Sequence, residues 1–155
     1  MENGFLAEAI RLSVEKMHAG EGGPFGAVIV RKGEIVARGW NQVVSTNDPT
    51  AHAEMVAIRE ACRVLGTFWL GDCEIYANCE PCPMCLAAIY WAGIPLLYYA
   101  ATAADAAKAG FADAYIYEEL LMPPAARNLC VEQAMREEAL IAFKLWEEKA
   151  DKIEY

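Results

Sequence analysis

The chain has 155 residues, enough for one domain with a sizeable core. Its apolar fraction of 56% is generous for a soluble chain and points to extra buried surface, as an oligomer provides, yet no apolar run approaches the length of a membrane span. A net charge of −9 is the opposite of the basic footprint by which proteins hold nucleic acid, so the expected substrate is small and weakly charged.

Met1-Glu2-Asn3-Gly4 has none of the basic flank that opens a signal peptide, and six cysteines in such a chain read as reduced thiols, so a cytoplasmic location is expected. Phe5, Leu6, Ala9, Ile10, Leu12, Val14 and Met17 recur at helical spacing and predict a helix over 5–18, stopped by Gly20. His18 sits at its end, where a basic group suits the helix dipole. Residues 21–24 are a loop. Residues 26–30 and 35–39 flank the Lys32-Gly33 turn as a β-hairpin. Residues 41–50 form a polar loop, and Asp48-Pro49-Thr50 signals the start of a second helix over 51–65. Residues 73–77 form a strand that feeds a third helix ending near Gly93, and 95–100 form another strand. The order helix, hairpin, helix, strand, helix, strand implies an α/β sheet covered by helices, with some strands parallel. Beyond Ala100, residues 101–109 suit a helix and 113–121 carry no clear pattern. Pro123-Pro124 breaks the chain, 128–134 suit a fifth strand, and 137–149 form a last helix with Leu140, Phe143 and Trp146 near one face.

The chemistry concentrates between Ala51 and Cys85, in His52-Ala53-Glu54 and Pro81-Cys82-Pro83-Met84-Cys85. Cys82 and Cys85, three apart, share one face if both are helical. Pro81 suits the first helical position, and a helix N-terminus favours the thiolate that metal binding needs. With His52 as third ligand, one tetrahedral position remains open, as catalytic zinc sites require. Glu54 can converge with His52 only if the pair opens its helix. A carboxylate there can take a proton from a nucleophilic water and hand it to a leaving nitrogen. The alternatives are a structural zinc or a redox pair. A structural site needs a fourth ligand, for which Cys79, spaced Cys79-x-x-Cys82-x-x-Cys85, is the chief rival.

These motifs make the chain resemble the cytidine-deaminase-like superfamily, whose signature is His-x-Glu followed by Pro-Cys-x-x-Cys with the Glu outside the ligand set. The flanking stretches Gly22-Gly23-Pro24-Phe25-Gly26-Ala27-Val28, Asn47-Asp48-Pro49-Thr50, Ala109-Gly110-Phe111 with Asp113, and Glu154-Tyr155 are similar to those of its short bacterial guanine deaminases. The resemblance implies a three-layer α/β/α sandwich around a mixed five-stranded sheet, one Zn2+ on His52, Cys82 and Cys85, and hydrolysis of guanine to xanthine and ammonia. It implies that Glu54 and Asp113 are catalytic, and that Asn41, Phe25, Ala53, Trp91 and Tyr155 bind substrate. Asn41 would offer a base edge a donor and an acceptor together. Phe25 suits core packing as well as stacking on a purine, and Trp91 likewise. Cys79 would stand behind the ligands. The resemblance further implies a homodimer with exchanged C-terminal segments, from about 125 to 155, within a single-domain chain.

The competing functions are deamination of guanosine, cytosine or tRNA adenosine, and a zinc-stabilised binding module without turnover. Net charge opposes tRNA. Glu54 opposes the inert module, because a structural site has no use for an extra carboxylate.

Overall fold

A computed structural model describes residues 2–111 and 113–154, with side chains from Gly4 onward. The chain divides into two compact units, 1–115 and 116–155.

In the first unit, α1 (Glu2–His18) leads into the hairpin β1 (Gly26–Arg31) and β2 (Glu34–Trp40). A one-turn helix, α2 (Val43–Thr46), follows within the stretch expected to be loop. Then come α3 (Ala53–Leu65), β3 (Cys73–Cys79), α4 (Pro83–Trp91), β4 (Leu96–Ala101), α5 (Ala103–Lys108) and the start of α6 (Ala114–Leu121). The sheet order is β2-β1-β3-β4, with β1 antiparallel to β2 and β3, and β3 parallel to β4. The parallel pair β3 and β4 is joined through α4, the crossover that a parallel pair requires.

Alternation along β1 sorts the core into two layers. Ala27 and Ile29 pack with Ala57 and Ile58 of α3, Ile75 of β3 and Ile89 of α4. Val28 and Val30 face the other way, with Leu12 of α1 and Tyr76, against Phe5 and Leu6. One residue of slip would exchange the two sets, so the period-2 pattern fixes the register. Two glycines let helices sit close on the sheet. A Cβ on Gly26 would lie 2.3 Å from the Ala9 carbonyl of α1, and one on Gly39 would lie 2.1 Å from the Ala53 carbonyl of α3. The second contact brings the first turn of α3 down onto the end of β2.

The sheet has four strands among the described residues, not the expected five. The segment 128–134 forms no strand. It carries Asn128, Glu132 and Gln133 among its apolar residues, and β-propensity acts only where a partner strand and a half-buried face are present.

In the second unit, α6 ends and a 3-10 turn follows at Pro124–Ala126. Arg127 Nε donates to the Glu119 and Met122 carbonyls, and Asn128 donates twice to the Glu119 carboxylate. These bonds fix the chain reversal. The last helix, α7 (Arg136–Glu148), has no buried residue and exposes Ile141, Phe143 and Leu145.

Candidate active site

His52 and Cys82 are the N-cap residues of α3 and α4, both in extended backbone conformation, and neither side chain caps its helix. Pro83, not Pro81, is the first residue of α4. Cys82 and Cys85 are therefore cap and first-turn residue rather than two residues on one helical face. His52 and Glu54 stand in the same relation at the start of α3, which lets residues two apart converge.

The His52 Nδ1 atom lies 3.5 Å from Cys82 Sγ and 3.6 Å from Cys85 Sγ, and the three donor atoms lie within 4.8 Å of one another. Zinc bonds of about 2.3 Å to sulfur and 2.0–2.1 Å to nitrogen, at tetrahedral angles, put such atoms about 3.5 Å apart. The donor set and its spacing thus fit Zn2+. Cys79 is not in the cluster: its thiol donates to the Thr102 carbonyl over 3.7 Å.

Hydrogen bonding from Cys85, and then from His52, lowers the Cys82 thiol to about 4, against an opposing effect of burial. The bond to Cys82, reinforced by burial, raises Cys85. His52 is raised, chiefly by its bond to Cys82. A coordinating divalent cation overrides this division and favours thiolate at both cysteines. Glu54 is only 8% exposed, and burial pushes its carboxyl up. Asp113 is also raised by burial, with the Cys82 charge adding to it.

His52, Cys82 and Glu54 open onto a cavity of about 570 Å³, whose wall includes Phe25, Asn41, Phe111 and Asp113. The loop glycines Gly20, Gly22 and Gly23 line it, with Val43 and Val44 of α2 and with Glu80. Phe25 meets Phe111 edge-on, with ring centroids 4.8 Å apart and planes at 86°. Phe25 also packs against the core, so both of its expected roles are compatible with its place.

Asn41 is held by backbone on two sides. Its Oδ1 accepts from the N–H groups of Gly23, at 3.4 Å, and Val43, at 3.3 Å. Two backbone donors on one atom define which end is oxygen. These bonds leave the NH2 as the half of the amide not engaged by them, where a free carboxamide offers a donor and an acceptor together. The loop reaches this position because Gly22 has no side chain: a Cβ there would lie 1.6 Å from the Asn41 carbonyl oxygen.

Ala53 is buried under the first turn of α3, with its carbonyl against Gly39. Trp91, the last residue of α4, is 71% exposed and does not line the cavity. Tyr155 lies outside the described residues. Sequence reasoning did not single out Phe111, Val43, Val44 or Glu80. Phe111 offered one signal, an aromatic between Gly110 and a cavity acid. The Glu80 carboxylate accepts from the Ala103 N–H at 2.9 Å and ties the end of β3 to the start of α5.

An α/β fold with an imidazole, two thiols and a buried carboxylate at two helix starts defines a zinc-dependent deaminase centre. The zinc-binding region of cytidine and deoxycytidylate deaminases matches residues 2–101, and the chain belongs to this family. It is 52% identical over 151 residues to the guanine deaminase of Bacillus subtilis (strain 168), spanning 97% of each chain. An X-ray structure of guanine deaminase from Bacillus subtilis superposes with a TM-score of 0.96, covering 99% of this chain and 98% of that one. A tRNA-specific adenosine deaminase of Aquifex aeolicus (strain VF5) is 45% identical over 97 residues, 63% of this chain and 64% of that one.

Proposed function

We propose that this chain is a zinc-dependent guanine deaminase that converts guanine and water to xanthine and ammonia. The observation that carries the reading is similarity to a guanine deaminase along nearly the whole chain, including the stretch that brings Asp113 to the cavity. The tRNA deaminase similarity is confined to 97 residues, and a net charge of −9 suits a neutral base better than a phosphate backbone.

His52, Cys82 and Cys85 hold the zinc. When bound, it supplies the Lewis acidity that makes a water nucleophilic near neutral pH. The remaining work falls to side chains. The Asn41 NH2 donates to an acceptor on the purine. Phe25, braced edge-on by Phe111, offers a face to the ring. Glu54 takes a proton from the attacking water and delivers it to a ring nitrogen beside C2. Glu54 then passes the hydroxyl proton of the tetrahedral carbon to the exocyclic amine, which Asp113 holds by a hydrogen bond, and cleavage of the C2–N bond releases ammonia and leaves the C2 carbonyl of xanthine. Burial suits both acids to this work, because a carboxyl raised toward neutrality can give a proton as well as take one.

The same reading includes a homodimer whose segments from about 125 onward are exchanged, so that Tyr155 of one chain closes the cavity of the other. The apolar side chains exposed along α7 support it, as does the stiff Pro123-Pro124 connection. Two chains, Glu54→Gln and a truncation before Glu154, are expected to be inactive separately and to regain activity when co-refolded. A confirmed heterodimer without recovery would refute exchange. The substrate is tested by ammonia release from guanine, guanosine, cytosine, adenine and tRNA. Guanine should be turned over fastest, and preference for any other member would overturn the reading.

A further inference from the structure

Lys16 lies in the last turn of α1 and lines no part of the cavity, yet it touches both walls that hold Asn41. Its ammonium lies 3.0 and 3.2 Å from the two carboxylate oxygens of Glu21, and 4.2 Å from the centroid of the Trp40 ring. Glu21 belongs to the loop that supplies Gly20, Gly22 and Gly23 to the cavity. Trp40 ends β2 and precedes Asn41. The loop is held on α1 by backbone bonds as well, Gly20 to Met17 and Glu21 to Lys16. Those bonds fix the loop to the helix, and the Lys16 side chain reaches from there to Trp40.

We infer that Lys16 is a positioning residue that clamps the glycine loop to the end of β2 and so holds the Asn41 amide in its donor orientation. The inference rests on the reading of Asn41 as a purine contact. Its physical basis is that Lys16 adds a side-chain tie to the backbone contacts between the loop and the end of β2, where the Asn41 N–H donates to the Phe25 carbonyl at 3.1 Å and Gly22 lies against the Asn41 carbonyl. Gly22 has no side chain with which to hold Asn41, and the Gly23 N–H to Asn41 Oδ1 bond, at 3.4 Å, is long and weak. Lys16 is 21% exposed, so its two partners act on a charge partly withdrawn from water. A cation over an aromatic face and an ion pair to a carboxylate each contribute modestly alone, and here both act through one ammonium. A plain surface ion pair would touch Glu21 and leave β2 alone.

The test uses the zinc-loaded, full-length chain with Lys16→Met, which keeps the stem and removes the charge, and Lys16→Arg, which keeps the charge and can still stack on Trp40. Two measurements are made. Hydrogen exchange at the Gly23 and Val43 amides reads the clamp whatever the substrate. KM and kcat are taken on the base that the wild type deaminates fastest. If that base is not guanine, the functional reading fails, while the exchange result still decides the clamp. For Lys16→Met the expected result is exchange at both amides faster by roughly threefold or more, KM raised roughly three- to tenfold, kcat within about twofold and zinc content unchanged. Lys16→Arg should restore all of these. If Lys16→Met does not fold, Glu21→Gln leaves α1 intact and should show the same direction of change. Unchanged exchange, a fall in zinc and kcat in step with KM, or no rescue by arginine would overturn the inference.

Discussion

Replacing Glu54 by Gln separates chemistry from architecture more cleanly than any other single change in this chain. The side chain is 8% exposed at the second position of α3, two residues from His52. Burial raises its carboxyl, so ionising it costs stability; glutamine keeps the shape and removes that cost. Of the other carboxylates on the cavity wall, Glu80 is engaged by the Ala103 N–H and Asp113 is the proposed partner of the amine. No replacement is therefore at hand for Glu54. General acid–base catalysis contributes about 10²–10⁴-fold, or about 3–5 kcal/mol of barrier, and one group serving successive transfers belongs at the top of that range. Glu54→Gln should thus lower kcat by about 10⁴-fold with zinc still bound and the thermal midpoint unchanged or raised by a few degrees. Ammonia release, metal analysis and a thermal melt on one preparation give all three numbers. Activity within tenfold of wild type would remove Glu54 from the proton path. Loss of zinc in parallel with activity would make it part of the metal-binding architecture instead.

Cys82→Ala should lose zinc and thermal stability together, because metal binding is coupled to folding; a folded variant with full zinc occupancy would show that Cys82 is not a ligand. Asp113→Ala should lower guanine turnover by about 10²-fold while zinc content stays at the wild-type level, and an equal loss of metal, or no kinetic change, would contradict its role at the amine. Away from the site, bonds from Arg11 and then Arg38 hold the Glu8 carboxyl at about 2, down from 4.5. A group lowered in the folded state contributes stability above its unfolded value and loses it as pH falls toward the folded one. Denaturant melts of wild type and Glu8→Gln should differ by about 1 kcal/mol near neutral pH, since Arg11 is solvent-screened, and converge between 4.5 and 2. A difference that persists at the acid end would mean that packing, not charge, separates them.

The parts of the molecule legible in its sequence are those that short-range rules determine. The hairpin followed from two β-rich runs around Lys32-Gly33, and the ligand set from motifs a few residues long. The start of α4 lies two residues beyond the expected Pro81, because Pro81 and Pro83 both satisfy the rule for a first helical residue. Only the backbone distinguishes them, and it turns Cys82 into the cap. The orientation of Asn41 was not legible. It depends on Gly23, 18 residues away, whose N–H occupies the amide oxygen once the glycine loop lies on β2. Val43 and Val44 were hidden inside a polar stretch, and a four-residue helix carries too little periodicity to announce itself. The apolar residues of 128–134 suit a strand, but strand formation needs an edge to pair with, which no local pattern supplies.

The N-cap positions of α3 and α4 have a consequence for how this fold responds to change. At such positions Ser, Thr, Asp or Asn normally satisfies the free amides of the first turn, and its absence costs about 0.5–2 kcal/mol per helix. Here both places are held by residues whose side chains turn to the candidate zinc cluster instead. His52→Asp and Cys82→Ser would each mend a helix start while dismantling the centre. The cap energy regained is smaller than the metal-linked stability lost, so zinc binding couples stability to activity at the same two residues. Selection for heat resistance with zinc present would therefore keep both residues, and only a chain folding without metal would gain from replacing them.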